Sequence, residues 1–446
     1  MTIRQQLAIS IARLSQRVLK RLTNGGSSFP GQLAQKIDPT VFQAITADYD
    51  VVMITGTNGK TLTTALTVEA LRDQYDHILT NPTGANMLQG IVSTFLADRA
   101  PKGARKIAVL EIDEATLNKV TAVIKPKAIV FTNLFRDQMD RYGEIYSVYQ
   151  MMLDGAKNAP VATIIANGDS PIFNANRLDN PYQFFGFNHL PPQEDVALDP
   201  NTDGVLCPIC HHLLHYYLNT YSNLGDYYCR TGDFKRPALD YAVTSVDTLT
   251  INQSDFAIDG HTFQLNIGGM YNIYNALAAY SLARFLGASP ESIKAGFNRA
   301  KRIFGRQEAI HIDDKNVLIN LTKNPVGVNQ VIDLLTNEPD PYTLVCLLNN
   351  NYADGQDVSW IWDGHYEIFK EKGIQRVLYG GMKADEMKKR LLVAGFDESQ
   401  LVYVSDLTQL PAAISAVDTK QVHVLATYTA MLDLRKTLIQ QGFIKE

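Results

Sequence analysis

At 446 residues, with 46% apolar and 20% charged side chains, the chain is long enough for about three domains and far too apolar to be disordered. Its 41 Lys plus Arg against 46 Asp plus Glu leave a formal charge of -5, which excludes the bulk positive field that nucleic-acid binding uses. Four cysteines are too few for a disulfide framework, and a Cys-x-x-Cys pair suits a reducing compartment, so a cytoplasmic location is expected.

In the first 22 residues Arg13, Arg17, Lys20 and Arg21 interrupt any signal-peptide core. The segment reads as an amphipathic basic helix packed on its own domain, with a face able to touch anionic lipid. No run of about 18 apolar residues occurs, so no membrane span is expected. A helical segment over 1–48, broken by the turn-rich stretch 24–28, leads to a short β-branched run at 51–54 that enters a Gly-rich turn. Further buried-strand candidates lie at 107–112, 128–132 and 162–166, separated by helical patterns. This alternation predicts an α/β fold with a parallel, doubly wound sheet in a central domain over 49–305. At about 193–235 the pattern changes to turns, His, Tyr and Cys, and reads as a small ribbon-like insertion. Regular alternation resumes with a strand at 265–267 and a long Ala-rich helix at 273–286. The block 306–446, with apolar runs at 317–321, 343–348, 376–379 and 422–426, reads as a C-terminal α/β domain.

The stretch Gly56-Thr57-Asn58-Gly59-Lys60-Thr61 follows a strand and opens a helix. There, successive backbone N–H groups and the helix N-terminus can surround phosphate oxygens. Lys60 adds a cation, and Thr61 a hydroxyl for Mg²⁺. The spacing is shorter than the usual P-loop, so its position after a strand is what gives it meaning. Glu111, Asp113 and Glu114 stand at the C-terminal end of a later strand candidate, the edge where open α/β sheets hold ligands. One of these carboxylates is suited to ligate Mg²⁺ beside Thr61.

Taken with the stretches 132–143 and 271–279, this loop resembles the successive signatures of the Mur ligase family. The segments 83–87, with Asn86, 135–144 and 352–363 are similar, more narrowly, to the branch that forms the synthetase subunit of lipid II isoglutaminyl synthase. The resemblance implies an ATP-dependent ligase that activates a carboxylate as an acyl phosphate before an amine attacks. For that branch it implies amidation of the D-glutamate α-carboxyl of the lipid II stem peptide to D-isoglutamine, in peptidoglycan synthesis at the inner face of the membrane. Ammonia would come from a GatD-like glutaminase, forming a heterodimer.

Carried over residue by residue, the resemblance implies that Gly56, Thr57, Asn58, Gly59, Lys60 and Thr61 hold ATP, with Thr61 and Glu111 on Mg²⁺. Asn272 and Asn275 lie three apart, hence on one helix face, and would contact nucleotide. Arg306 corresponds to the arginine between the last two domains, and the loop of Lys323, Asn324 and Pro325 to one that faces ATP. Gln138 stands where ordinary Mur ligases carry His, so no second metal site is expected there.

Cys207, Cys210 and Cys229 match the zinc ribbon of the same branch, but Gly232 stands where its fourth cysteine belongs. Two readings stay open: zinc completed by His211, His212, His215 or Asp233, or a metal-free ribbon held by packing. Asp354 and Asp357 lie in a Gly-containing turn. The resemblance implies that one Asp is lent across an interface to orient the glutaminase's catalytic histidine. Asp357 is assigned that role, with Asp354 as the alternative, and Trp360 and Trp362 suit the same interface. Two other classes of function are a stand-alone Mur ligase adding an amino acid and a non-catalytic nucleotide-gated scaffold.

Overall fold

The computed structural model describes residues 1–22, 28–81, 84–137, 144–188, 195–198, 202–300 and 306–444. The first long stretch of strands and helices builds β1 (Asp50–Thr55), β2 (His77–Thr80), β3 (Lys106–Glu111), β4 (Ala128–Phe131), β5 (Thr163–Asn167) and β6 (Tyr182–Phe187). The chain then makes β7 (Val196–Ala197), β8 (His215–Tyr221), β9 (Leu224–Tyr228), β10 (Tyr241–Leu249), β11 (Ser254–Ile258) and β12 (His261–Leu265). Among the described residues the main sheet has the order β12-β11-β10-β6-β5-β4-β1-β3-β2. It is parallel from β2 to β10, as the apolar runs predict, and β11 and β12 add an antiparallel edge.

Every residue of β4 is buried, because helices cover both faces of the sheet. One face packs on the helices Lys60–Leu71, Met270–Phe285 and Pro290–Arg299. The other packs on Leu88–Ala97, Glu114–Thr121 and Ile145–Lys157. The N-terminal helices Ile3–Leu22, Phe29–Ile37 and Val41–Thr46 join that second core through Ala8, Ala12, Ala34 and Phe42. Arg13 Nε donates to the Leu96 carbonyl at 2.8 Å and fixes the first helix against the sheet's cover.

The strand expected at 265–267 ends at Leu265 instead and begins at His261, and the helix expected from Ile273 starts at Met270. The physical reason is a tight hairpin: Asp259 (φ 49°) and Gly260 (φ 81°) both take left-handed backbone, the geometry of a type I′ turn, and pair β11 with β12.

Between β6 and β10, β7, β8 and β9 form a small antiparallel sheet whose core holds Cys207, Leu214, Tyr216, Tyr227 and Phe234. It is tied to the main sheet by buried Asp169, which accepts from Arg236 Nη1 at 2.9 Å, Tyr274 Oη at 2.7 Å and the Phe187 N–H at 2.8 Å. Burial raises the Asp169 pKa against the pull of Arg236 and Tyr274.

The rest of the chain builds β13 (Arg306–Ile312), β14 (Lys315–Leu321), β15 (Tyr342–Leu347), β16 (Val377–Gly380), β17 (Leu401–Val404) and β18 (Gln421–Ala426). Their order is β13-β14-β18-β15-β16-β17, parallel except for the β13–β14 hairpin.

Candidate functional site

β1 lies between β3 and β4, all parallel, so their C-terminal ends open onto one edge of the sheet. The chain leaves β1 into the loop 56–59 and then the helix Lys60–Leu71. Gly59, the residue before that helix, has φ 84°, and a Cβ there would fall 1.9 Å from Asn275 Oδ1. Gly56 has φ 130°, and its Cβ would fall 2.4 Å from Thr132 Oγ1. Glycine is required at both places on conformational and steric grounds.

The end of β4 clamps the loop from the side. The Asn58 N–H donates to Asn133 Oδ1 at 2.8 Å, Asn133 Nδ2 donates to the Asn58 carbonyl at 3.0 Å, and the Thr57 N–H donates to the Asn133 carbonyl at 2.9 Å. Sequence reasoning took Asn133 as part of a signature and missed this role, although its place directly after an apolar run was visible.

Lys60 Nζ sits 3.1 Å from Glu114 Oε1 and also donates to the Gly56 carbonyl. Burial lowers the affinity of this amine for its proton, but Glu114, Glu111 and Asp113 together outweigh that and raise its pKa above the ordinary lysine value. Burial pushes Glu114 up in turn, against the attraction of Lys60. Thr61 Oγ1 donates to Glu111 Oε2 at 2.9 Å, and Asn86 Nδ2 donates to Glu111 Oε1 at 3.3 Å. Asp113, by contrast, caps the helix Glu114–Thr121, accepting from the Ala115 N–H at 3.2 Å.

These side chains line an open cleft of about 380 Å³, faced on its far side by Lys323 from the loop after β14 and Tyr428 from the start of the helix Tyr428–Gln440. A narrow neighbouring pocket of about 50 Å³ is lined by Asn58, Gly59, Tyr271, Asn272 and Asn275 on one wall and Val326 and Val331 on the other. Asn272 also secures its own helix start, donating from Nδ2 to the Gly268 carbonyl at 2.6 Å. Asn324 Nδ2 donates to Asn58 Oδ1 at 3.1 Å, and Lys323 pairs with Asp137, so the phosphate-type loop and the last sheet meet directly.

Arg306 begins β13 with its backbone opposite Asn320, while its side chain, like Gln138 and the stretch 138–143, lies outside the described residues. Asp354 and Asp357 differ sharply. Asp354 is buried; it accepts from the Thr429 N–H at 2.7 Å and the Asn351 N–H at 3.0 Å, and binds the Thr429 hydroxyl. Asp357 is exposed and accepts locally from the Ser359 N–H at 2.8 Å and Oγ at 2.9 Å.

The sulfurs of Cys207, Cys210 and Cys229 lie within 4.8 Å of one another, so the ribbon gathers three thiols. Thr231 Oγ1 lies 3.1 Å from Cys210 Sγ and 3.4 Å from Cys229 Sγ, and His212 Nδ1 stands 3.4 Å from that hydroxyl. A hydroxyl is a poor substitute for a thiolate, and the donor set does not fit a four-thiolate site.

A loop after a central parallel strand, an acid at the next strand's end and a capping C-terminal α/β unit define the Mur ligase fold. Solved structures with this fold include a pseudomurein peptide ligase type C from Methanothermus fervidus, at 20% identity, TM-score 0.67, covering 92% of this chain and 84% of that one. MurF from Acinetobacter baumannii matches at 16% identity, TM-score 0.66, with 92% and 80% covered. The family model for the Mur ligase middle domain matches residues 54–202, and that for the MurT ligase C-terminal domain matches residues 321–431. A Streptococcus pneumoniae protein named lipid II isoglutaminyl synthase (glutamine-hydrolyzing) subunit MurT is 46% identical over 446 residues, covering 100% of this chain and 99% of its own. A Staphylococcus aureus protein of the same name is 34% identical over 398 residues, 88% of each chain. The chain belongs to the MurT family of Mur ligases.

Proposed function

We propose that this chain is the synthetase subunit of a lipid II isoglutaminyl synthase, amidating the D-glutamate α-carboxyl of the lipid II stem peptide with ammonia from a GatD-like glutaminase. The observation that carries the ligase reading is the joint placement of Lys60, Thr61 and Glu111 at the C-terminal edge of β1 and β3, with Lys323 facing them across the cleft. The fold family uses ATP with Mg²⁺, and the residues fit both: glycines leave the loop open, Lys60 supplies a buried cation, and Thr61 and Glu111 supply oxygen donors. Bound Mg²⁺ would supply positive charge against the phosphate oxygens.

In this reading the first turn of the helix Lys60–Leu71 presents its N–H groups to the phosphates, the Thr57 and Asn58 N–H groups being held by Asn133, and Lys60 transfers its interaction from Glu114 to the β/γ-phosphate oxygens. Asn272 and Asn275 line the adjoining narrow pocket, the side toward which the rest of the nucleotide extends in this reading. Lys323 and Arg306 contribute charge from the C-terminal domain, so that phosphoryl transfer to the substrate carboxylate, giving the acyl phosphate, occurs between domains. Ammonia then displaces phosphate. Exposed Asp357, beside Trp360 and Trp362, is the Asp offered to the glutaminase, because the carboxylate of Asp354 is already spent on Thr429. The three-thiol ribbon enters no step.

The test is ADP release by the purified chain with ATP, Mg²⁺, a lipid II-type muropeptide and ammonium chloride, with mass spectrometry of the product. Exchange of one carboxyl hydroxyl for an amine, lost in Lys60→Ala and driven by glutamine only when a glutaminase is added, is the expected result. Product formation with an amino acid but not with ammonia would identify a stand-alone Mur ligase instead. ATP binding without substrate-dependent ADP release would identify a scaffold.

A further inference from the structure

The helix Ile3–Leu22 buries Ala8, Ile9 and Ala12 in the core beneath it. Its opposite side is apolar as well. Ile3 is 85% exposed, Leu7 54%, Ile11 38%, Leu14 60% and Val18 46%. Steps of three and four residues hold these five side chains on one stripe, about 22 Å long at 1.5 Å per residue. Single exposed aliphatics are ordinary, but a continuous line of five facing away from the core is a surface that needs a partner.

The charge around the stripe says which kind. Residues 1–37 contain Arg4, Arg13, Arg17, Lys20, Arg21 and Lys36 and no Asp or Glu, in a chain whose net charge is -5. Arg4 and Arg17, both exposed, fall on the two edges of the stripe at helical spacing; Arg4 gives only its Nε to the Ile37 carbonyl, at 2.7 Å. Arg13 is turned inward and holds the helix to the Leu96 and Asp98 carbonyls, so the stripe is presented by a rigid mount. No described helix is long and apolar enough to cross a membrane. An apolar strip bordered by cations, with acid excluded, is what lies flat in the headgroup region of an anionic bilayer.

We propose that this face of the first helix docks the protein on an anionic phospholipid surface, the aliphatic stripe entering the acyl boundary and Arg4 and Arg17 meeting headgroup phosphates. The proposal is independent of the reaction assigned above. Its test is co-sedimentation of the full chain with phosphatidylglycerol-containing vesicles and with pure phosphatidylcholine vesicles. Binding is expected to the first and not the second, weakening severalfold as salt rises. The double substitution Leu7→Asp, Leu14→Asp, at exposed positions and with folding checked by circular dichroism, is expected to lower the partition coefficient at least about tenfold. Arg17→Glu is expected to reduce binding less and to flatten its salt dependence. Wild-type protein that stays in the supernatant, or a Leu7→Asp, Leu14→Asp variant that binds like wild type, would overturn it. So would light scattering showing a dimer that the same double substitution splits, since the face would then belong to a second copy.

Discussion

Lys60 and Glu114 form an ion pair of 3.1 Å with side chains only 11% and 9% exposed, in the place where the proposed phosphate site requires the lysine. The carboxylate keeps the amine charged before nucleotide arrives, and its hold must be exchanged for that of the phosphate. Lys60→Ala is therefore expected to reduce substrate-dependent ADP release by about 10²–10³-fold. Glu114→Gln keeps the cation and removes its competitor, so ATP binding by calorimetry should be equal or tighter. Loss of ATP binding in Glu114→Gln would mean that the carboxylate itself serves the nucleotide. Because the folded-state pKa of Lys60 lies above its ordinary 10.5, the lysine's contribution to stability is lost as pH rises through the folded value, while at low pH the pair is lost from its other side as Glu114, pushed up by burial, takes a proton.

Asp357→Asn and Asp354→Asn should separate cleanly. Asp357 is exposed and its hydrogen bonds stay within its own turn, so its change is expected to leave ammonia-dependent amidation and Tm intact while glutamine-dependent amidation with the added glutaminase collapses. Asp354→Asn weakens the ties to Thr429 and Asn351 and is expected to lower Tm and both activities together. The reverse pattern would move the lent carboxylate to Asp354.

The Asp169–Arg236 pair anchors the small sheet to the large one, with exposures of 0% and 9%. Arg236→Ala leaves a buried carboxylate without its cation, and a loss of about 3–5 kcal/mol in denaturant unfolding is expected. Tyr274→Phe removes one donor to the same carboxylate and should cost about 1–3 kcal/mol. An Arg236→Ala loss below that of Tyr274→Phe would show that the anchor lies elsewhere.

The three-thiol ribbon has its own core of Leu214, Tyr216, Tyr227 and Phe234. With no fourth thiolate, elemental analysis of purified protein should find zinc below one equivalent, and EDTA in the absence of nucleotide should leave Tm unchanged. One equivalent of zinc and a fall in Tm on chelation would show instead that His212 turns in as the fourth ligand, and His212→Ala should then abolish both.

The strands at 51–54, 107–112 and 128–132 were legible because parallel strands covered on both faces are runs of apolar, β-branched residues. β13 and β17 escaped because edge strands stay partly exposed, β17 with Val402 at 37% and Tyr403 at 56% exposure; β10, though paired on both sides, is buried only at Val243 and so shows no apolar run. The glycine loop was legible through spacing and position, but its supports were not: Asn58 meets Asn324 across 266 residues, and no local pattern announces such a pairing. The turn holding Asp354 and Asp357 shows the same limit. Their composition is equivalent, and only the return of Thr429, 75 residues later, buries one and leaves the other outside.

The contact between Gly59 and Asn275 also has a temporal side. The loop leaves the ribosome early, yet the side chain that fills the space beside it belongs to a helix made more than two hundred residues later, and Asn324 follows later still. At translation rates of about 5–20 residues per second, the nascent chain carries an unfinished loop for some tens of seconds. Competence for nucleotide thus arrives as a late, whole-chain property, and a truncated product has the motif's letters without its shape.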